Sequence, residues 1–171
     1  SRVEKRRFPV VEVVDRAAIA TLPTTTKSVE LRNLDDAAVA AIAARLPELE
    51  ELRVFASTAW YRNDDPLEPV SITDAALAAI GTLTKLRRLE LVGTLGVDGS
   101  GLGALAALPM LERLELSFCD IGDGGLAVLP RLPSLKVLVL TSNYGFGTEG
   151  VAAIAQCPGL QRLPRRSDGH V

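Results

Sequence analysis

The sequence has little of what most catalytic and metal-binding sites need. Its 171 residues include one histidine, His170, and two cysteines, Cys119 and Cys157. Because most zinc sites and most acid–base catalysis use histidines or clustered cysteines, these counts exclude most sites of both kinds. Two cysteines are also too few for a disulfide framework, so both are predicted to be reduced, buried and structural. We expect no catalytic residue, no cofactor and no metal ion.

Strong charge of one sign and long apolar runs are also missing. The 19 basic and 21 acidic residues give a net charge of −2 and a pI near 5.5, which argues against the basic surface of a nucleic-acid binder. No apolar run approaches the roughly 20 residues that cross a bilayer, and the first residues lack the apolar segment of a signal peptide. We therefore expect no nucleic-acid or membrane partner and a cytoplasmic location.

A repeat of about 25 residues runs through most of the chain. The motif Leu-x-x-Leu-x-x-Leu-x-Leu begins at Leu83, Leu108 and Leu132, and a partial copy begins at Cys157, with starts 25, 24 and 25 residues apart. An earlier copy begins at Leu46, which is 37 residues before the next start. The additional residues of that copy fall between its strand and its helix, so we interpret 57–70 as an inserted loop.

Each copy predicts one strand followed by one helix. The last two leucines of the motif alternate with polar residues, which is typical of a strand with one buried face. Apolar residues at helical spacing follow, as in Ile72, Leu77 and Ile80. One strand and one helix cannot bury their own apolar faces, so stacked copies are predicted to form a parallel sheet covered by a row of helices. Strand–helix–strand crossovers are almost always right-handed, which predicts a right-handed coil.

Polar residues at the start of each predicted helix are placed to accept hydrogen bonds from its first amides. These candidate helix caps are Thr73 or Asp74, with Asp98, Asp123 and Thr148 at similar points.

These residues resemble leucine-rich repeats over about residues 27–163. The segments Cys119-Asp-Ile-Gly-Asp-Gly-Gly-Leu126 and Cys157-Pro-Gly-Leu-Gln-Arg-Leu163 are most similar to the cysteine-containing, ribonuclease-inhibitor-like subtype found in F-box leucine-rich-repeat proteins and many bacterial relatives. The resemblance implies an α/β fold, a right-handed leucine-rich-repeat solenoid in a short horseshoe arc with the parallel sheet on its concave side and the helices on its convex side. The alanine- and arginine-rich repeats look bacterial.

Three parts of the chain follow from the repeat frame. Residues 1–22 do not match it and are interpreted as an N-terminal cap, with a remnant of an upstream domain as the other interpretation. Residues 23–163 hold about five repeats, including the insertion at 57–70. Residues 164–171 form a polar C-terminal tail.

The candidate binding residues follow from two patterns. Side chains that alternate with the buried leucines are predicted to face the concave side, either as a cross-strand salt-bridge lattice or as a charged platform for a partner. Aromatic residues, only 4% of the chain, fall mainly in the loops that follow the strands, where recognition residues often lie. The predicted protein-binding residues are Arg53, Phe55, Trp60, Tyr61, Arg88, Glu90, Arg113, Glu115, Phe118 and Tyr144.

Two functions are open at this point. The first is a non-catalytic protein–protein recognition module that binds a protein or peptide through its concave sheet and the strand-to-helix loops at its rim. The alternative is a structural segment of a larger repeat protein, or of an array that self-associates through its repeat ends. A stable monomer in sedimentation would weaken the alternative.

Overall fold

Parallel strands follow one another in chain order across a single sheet. The structure is a computed structural model that describes residues 6–56 and 72–160. Within these ranges six strands pair in the order β1 to β6, each with its neighbours in sequence. The strands are β1 (Val11–Val13), β2 (Ser28–Arg32), β3 (Glu51–Phe55), β4 (Arg88–Val92), β5 (Arg113–Ser117) and β6 (Val137–Val139).

Helical segments connect the strands and cover one face of the sheet. The α-helices are α1 (Asp36–Arg45), α2 (Asp74–Ile80), α3 (Asp123–Leu126) and α4 (Thr148–Ala155), and 3-10 helices span Arg16–Thr21, Leu102–Ala107 and Leu129–Arg131. The protein is therefore a right-handed leucine-rich-repeat solenoid with the sheet on its concave side, as the sequence predicts.

The prediction of one regular helix in each repeat is wrong for two repeats. The repeat after β4 has only the 3-10 helix Leu102–Ala107, and the repeat after β5 is divided into the one-turn helix α3 and a 3-10 turn containing Pro130. Glycines occupy both segments, including Gly99, Gly101 and Gly103 in the first. Each glycine costs about 1 kcal/mol relative to alanine in an α-helix, and proline lacks the amide hydrogen that a continuing helix needs.

The motif leucines form one continuous core between sheet and helices. Leu52, Leu89, Leu114 and Leu138 are partners in the strand register and lie side by side. Each is at most 1% exposed. The core extends to both described ends of the sheet, from Val13 in β1 to Leu138 in β6. A row of identical side chains on adjacent strands explains why the period in the sequence is so regular.

The chain turns sharply after four of the six strands. The residue after β2, β4 and β5 is in the left-handed region, with φ of 54° at Asn33, 74° at Gly93 and 55° at Phe118, and Ser142 at the corresponding point of the β6 repeat has φ 53°. Because the strands are parallel, the described loops that follow them leave the sheet at the same edge. We call that edge, at the carboxyl ends of the strands, the rim.

The N-terminal residues add to the same sheet. Strand β1 pairs in parallel with β2, and the Arg45 guanidinium donates hydrogen bonds to the Leu22 carbonyl at 3.0 and 2.9 Å. Residues 1–22 as a cap stay a prediction. The predicted insertion at 57–70 and the tail at 164–171 lie outside the described residues.

Candidate functional site

The sheet presents three rows of side chains on its concave face, in the predicted register. Each row runs across neighbouring strands, and Arg53, Glu90 and Glu115 are paired positions in the middle row. Arg88 lies between Glu51 and Arg113 in the adjacent row. A shallow depression on this face is lined in part by Ser28, Glu51, Arg53, Arg88 and Glu90. The structure therefore brings together the six predicted binding residues of the concave face, which are Arg53, Phe55, Arg88, Glu90, Arg113 and Glu115.

Charged side chains on this face form ion pairs across the strands. The Arg53 guanidinium lies 3.1 Å from the Glu30 carboxylate on one side and 3.0 Å from the Glu90 carboxylate on the other. Arg113 contacts Glu115 on its own strand at 3.1 Å. The salt-bridge lattice is thus present. Because an exposed pair contributes at most about 1 kcal/mol, its main effect is to fix these side chains in place.

Glu30 is the most buried carboxylate of this lattice. Its side chain is only 6% exposed, and Arg6, Arg32 and Arg53 lie around it. Burial alone would raise the pKa of Glu30, but Arg53 and Arg32 together outweigh that effect and hold its pKa below the usual value of 4.5. Glu30 therefore stabilises the folded chain in its charged form.

This carboxylate predicts an acid-dependent loss of stability. A lowered folded-state pKa adds stability that is present above pH 4.5 and is lost as the pH falls through the lowered value. Glu30→Gln should therefore destabilise the protein at about pH 7, and its difference from the wild type should shrink as the pH falls below 4.5, as measured by urea unfolding at each pH. Glu12→Gln, an exposed partner of Arg32, is the control and should show a smaller effect. A Glu30→Gln deficit that stays constant with pH would contradict this account.

Phe55 is held by two arginines on the concave face. The guanidinium carbons of Arg32 and Arg53 lie 5.1 and 5.2 Å from the centre of its ring. Such cation–π contacts are worth about 0.5–1 kcal/mol at exposed sites. Phe55 is therefore a preorganised part of the lattice, with its ring partly covered.

The rim carries the most exposed aromatic side chains among the described residues. Tyr144 is 90% exposed and Phe118 is 51% exposed. Leu95 in the neighbouring loop is 49% exposed, and the sequence did not indicate it because it falls outside the repeating leucine positions. Phe146, also in the loop after β6, packs partly buried against the core. Trp60 and Tyr61 lie outside the described residues.

Three aspartates near the rim each bind the following repeat, which corrects part of the predicted helix capping. Thr73 caps its own helix, since its hydroxyl accepts a hydrogen bond from the Ala75 amide. Asp74 instead accepts from the Asp98 and Gly101 amides of the following repeat, at 2.8 and 2.7 Å. Two further carboxylates do the same: Asp36 accepts from Thr73, and Asp123 accepts from Gly147 and Gly150. Neither Asp123 nor Thr148 caps its own helix, because Gly122 and Gly147 occupy the cap positions.

Cys119 is a buried thiol in a polar niche between repeats. It is 3% exposed and its sulfur lies 3.1 Å from the Thr94 hydroxyl. Burial raises the pKa of the Cys119 thiol to about 11. Cys157 is only partly buried, which corrects the prediction that both thiols are buried, and this partial burial still raises its pKa. Both are therefore protonated at neutral pH and are weak nucleophiles.

Two features are absent from residues 6–56 and 72–160. No group of three or more histidine, cysteine, aspartate or glutamate side chains in these ranges is arranged to hold a metal ion. No helix there has the length and apolar character to cross a membrane.

Known proteins share the fold of this chain. A family model described as Leucine Rich repeat matches residues 107–129 and 131–155. The structure of a TLR13–ssRNA13 complex aligns with 81% of this chain at 18% identity and a TM-score of 0.52. An internalin from Listeria monocytogenes aligns with 93% at 18% identity and a TM-score of 0.44. The chain spans 20% and 52% of the length of these two structures. No curated protein sequence matches it.

Proposed function

We propose that this leucine-rich-repeat protein is a non-catalytic recognition module that binds a protein or peptide through its concave sheet and its rim. The observation that carries the proposal is an exposed pair of aromatic side chains, Phe118 and Tyr144, on loops anchored to a rigid sheet. Aromatic and arginine side chains supply most of the binding energy of protein interfaces, and a rigid support reduces the entropy lost on binding. Arg53, Phe55, Arg88, Glu90, Arg113 and Glu115 form the adjoining concave part of the proposed site.

The chemistry of the described residues supports binding over catalysis. The charged groups of the concave face are largely committed to ion pairs with one another, as Arg53 is with Glu30 and Glu90. The Cys119 thiol is buried and protonated. A fixed, internally neutralised surface is suited to recognising a complementary shape, and the net charge of −2 favours a protein partner over a nucleic acid.

Selection from a displayed library of random peptides tests this function. We expect the wild-type chain to enrich specific peptides, and Val139→Arg, which adds bulk to the concave face, to weaken their binding about tenfold. Ala78→Arg adds the same side chain to the exposed surface of α2 on the convex side and should leave binding unchanged. Failure to enrich any peptide, or equal weakening by both variants, would contradict the proposal. Binding of a single-stranded RNA oligonucleotide in place of peptides would also contradict it.

A structural role in a longer array is the second candidate, and two observations favour it. Among the described strands β6 pairs only with β5, so its other edge is unpaired within residues 6–56 and 72–160. Within the same ranges the buried Oδ1 of Asn143 has no hydrogen-bond partner, although its amide nitrogen donates to Leu116 and Thr141. Concentration-dependent self-association in sedimentation, without peptide enrichment, would support this candidate instead.

A further inference from the structure

Exposed apolar side chains gather at one edge of the sheet. Among the described residues, five large apolar side chains are about half exposed or more, and four of them follow a strand at its carboxyl end. These four are Val14, Leu95, Phe118 and Tyr144, and the fifth is Val151 in α4. Isolated exposed apolar residues are common on protein surfaces, but a group on adjacent loops indicates an interaction site.

Three of these residues come from consecutive repeats. Leu95, Phe118 and Tyr144 lie in the loops after β4, β5 and β6, which are neighbouring strands. The Gly93 amide donates to the Ser117 carbonyl at 2.9 Å, and the Phe118 amide donates to the Thr141 carbonyl at 2.9 Å, so the loops are fixed side by side. We call Leu95, Phe118 and Tyr144 the apolar rim.

Phe118 is placed there at a cost to folding. Its φ of 55° lies in the left-handed region, where a residue with a side chain costs about 1–2 kcal/mol relative to right-handed conformations. At the corresponding turns the sequence has Asn33, Gly93 and Ser142, which are small or polar. The phenylalanine also leaves half of its surface in water. Folding gains little from this side chain, so its benefit is expected in binding.

Acidic residues lie in the same loop segments as the apolar rim. The segments 93–102, 118–125 and 142–150 contain Asp98, Asp120, Asp123 and Glu149 and no lysine or arginine. The carboxylates of Asp120 and Glu149 form no hydrogen bond or ion pair with any residue in the described ranges, and both residues are exposed. The loops at the opposite edge of the same repeats instead carry Lys85, Arg87, Arg131 and Lys136. The charge of the rim therefore complements a cationic partner and disfavours an anionic one.

We propose, building on the recognition function above, that the apolar rim binds a short basic peptide segment whose apolar side chains pack on Leu95, Phe118 and Tyr144. Adjacent strands are about 4.8 Å apart, so the three loops span roughly 10 Å, the length of about three residues of extended chain. Lysines or arginines on either side of such a segment lie within reach of Asp98, Asp120 and Glu149. The acidic side chains increase specificity and association rate, and the apolar contacts supply the affinity.

Three synthetic peptides of equal length test this assignment by titration against the intact chain. The first alternates leucine with arginine, the second alternates leucine with glutamate, and the third alternates serine with arginine. We expect binding of the first peptide alone. The double variant Phe118→Gly, Tyr144→Ser should weaken that binding about tenfold or more. Asp120→Asn with Glu149→Gln should weaken it less and reduce its dependence on salt.

The stability of the Phe118→Gly variant serves as the folding control. Phe118→Gly removes the left-handed strain, so its stability should stay within about 1 kcal/mol of the wild type. If library-selected peptides bind but are acidic, or bind the double variant as tightly as the wild type, the rim assignment is wrong and the recognition function stands. If neither library-selected nor synthetic peptides bind, the rim assignment and the recognition function are both wrong. Self-association of the chain that Phe118→Gly abolishes would assign the rim to a second copy and overturn the peptide assignment.

Discussion

Replacing Gly101 with alanine is expected to lower the free energy of unfolding by about 1–3 kcal/mol, even though alanine is the better helix former. A Cβ at this position would lie 2.6 Å from the backbone oxygen of Asp74 and 3.0 Å from its Cβ. Both atoms belong to the adjacent repeat and are held by the backbone. The two repeats would have to separate, which would also stretch the 2.7 Å hydrogen bond from the Gly101 amide to Asp74.

Gly103 provides the matched control for this substitution. It lies two residues further along in the 3-10 helix Leu102–Ala107, and a Cβ there would meet no atom within 4 Å. Gly103→Ala should therefore raise stability by about 0.5–1 kcal/mol, since it reduces the conformational freedom of the unfolded chain. Urea unfolding of the two variants measures the contrast. Equal effects of the two substitutions would show that close contact between repeats does not limit stability here.

Replacing Asp123 with alanine is expected to cost about 2–3 kcal/mol of stability. One oxygen of this carboxylate accepts hydrogen bonds from the Gly147 amide at 2.8 Å and the Gly150 amide at 2.7 Å. Gly150 is buried, so its amide cannot recover a bond to water without local opening of α4. The loss should appear as a lower midpoint in urea and as faster hydrogen exchange at the Gly150 amide.

Two further variants distinguish the effect of the hydrogen bonds on stability from the effect of the charge. Asp123→Asn keeps an oxygen that can accept from both amides, so it should cost clearly less than Asp123→Ala. Asp120→Ala removes an exposed aspartate from the same loop and should change stability by no more than about 0.5 kcal/mol. An Asp123→Ala variant as stable as Asp120→Ala would show that these carboxylate bridges between repeats contribute little.

The hydrogen bonds from aspartates to the following repeat cannot be predicted from the sequence of one helix alone. Asp36, Asp74 and Asp123 all stand two residues after an apolar residue of the repeat, so the signal is present in the sequence. The sequence pattern predicts two of these aspartates, Asp74 and Asp123, as caps of their own helices, because capping is defined within one helix. The amides they bind are about 25 residues or more further along the chain, and only the stacking of repeats brings them close.

Some features of the candidate site follow from the sequence, and others follow only from the tertiary structure. The register of Arg53, Glu90 and Glu115 follows from the alternation of the leucines, because side chains on a strand have a period of two. The exposure of Leu95 and the left-handed conformation of Phe118 do not follow from any local pattern. They depend on how each loop turns out of the sheet and on which neighbours cover it.

The sequence by itself determined the solenoid, its parallel sheet and the residues on each face. Repeats of nearly constant length with leucines at fixed positions bury those leucines by stacking in register. The tertiary structure decided which aspartates bind the next repeat, which glycines allow close approach and which apolar side chains remain in water. Those properties are set by distances between separate repeats, and a sequence specifies such distances only through the packing of the whole array.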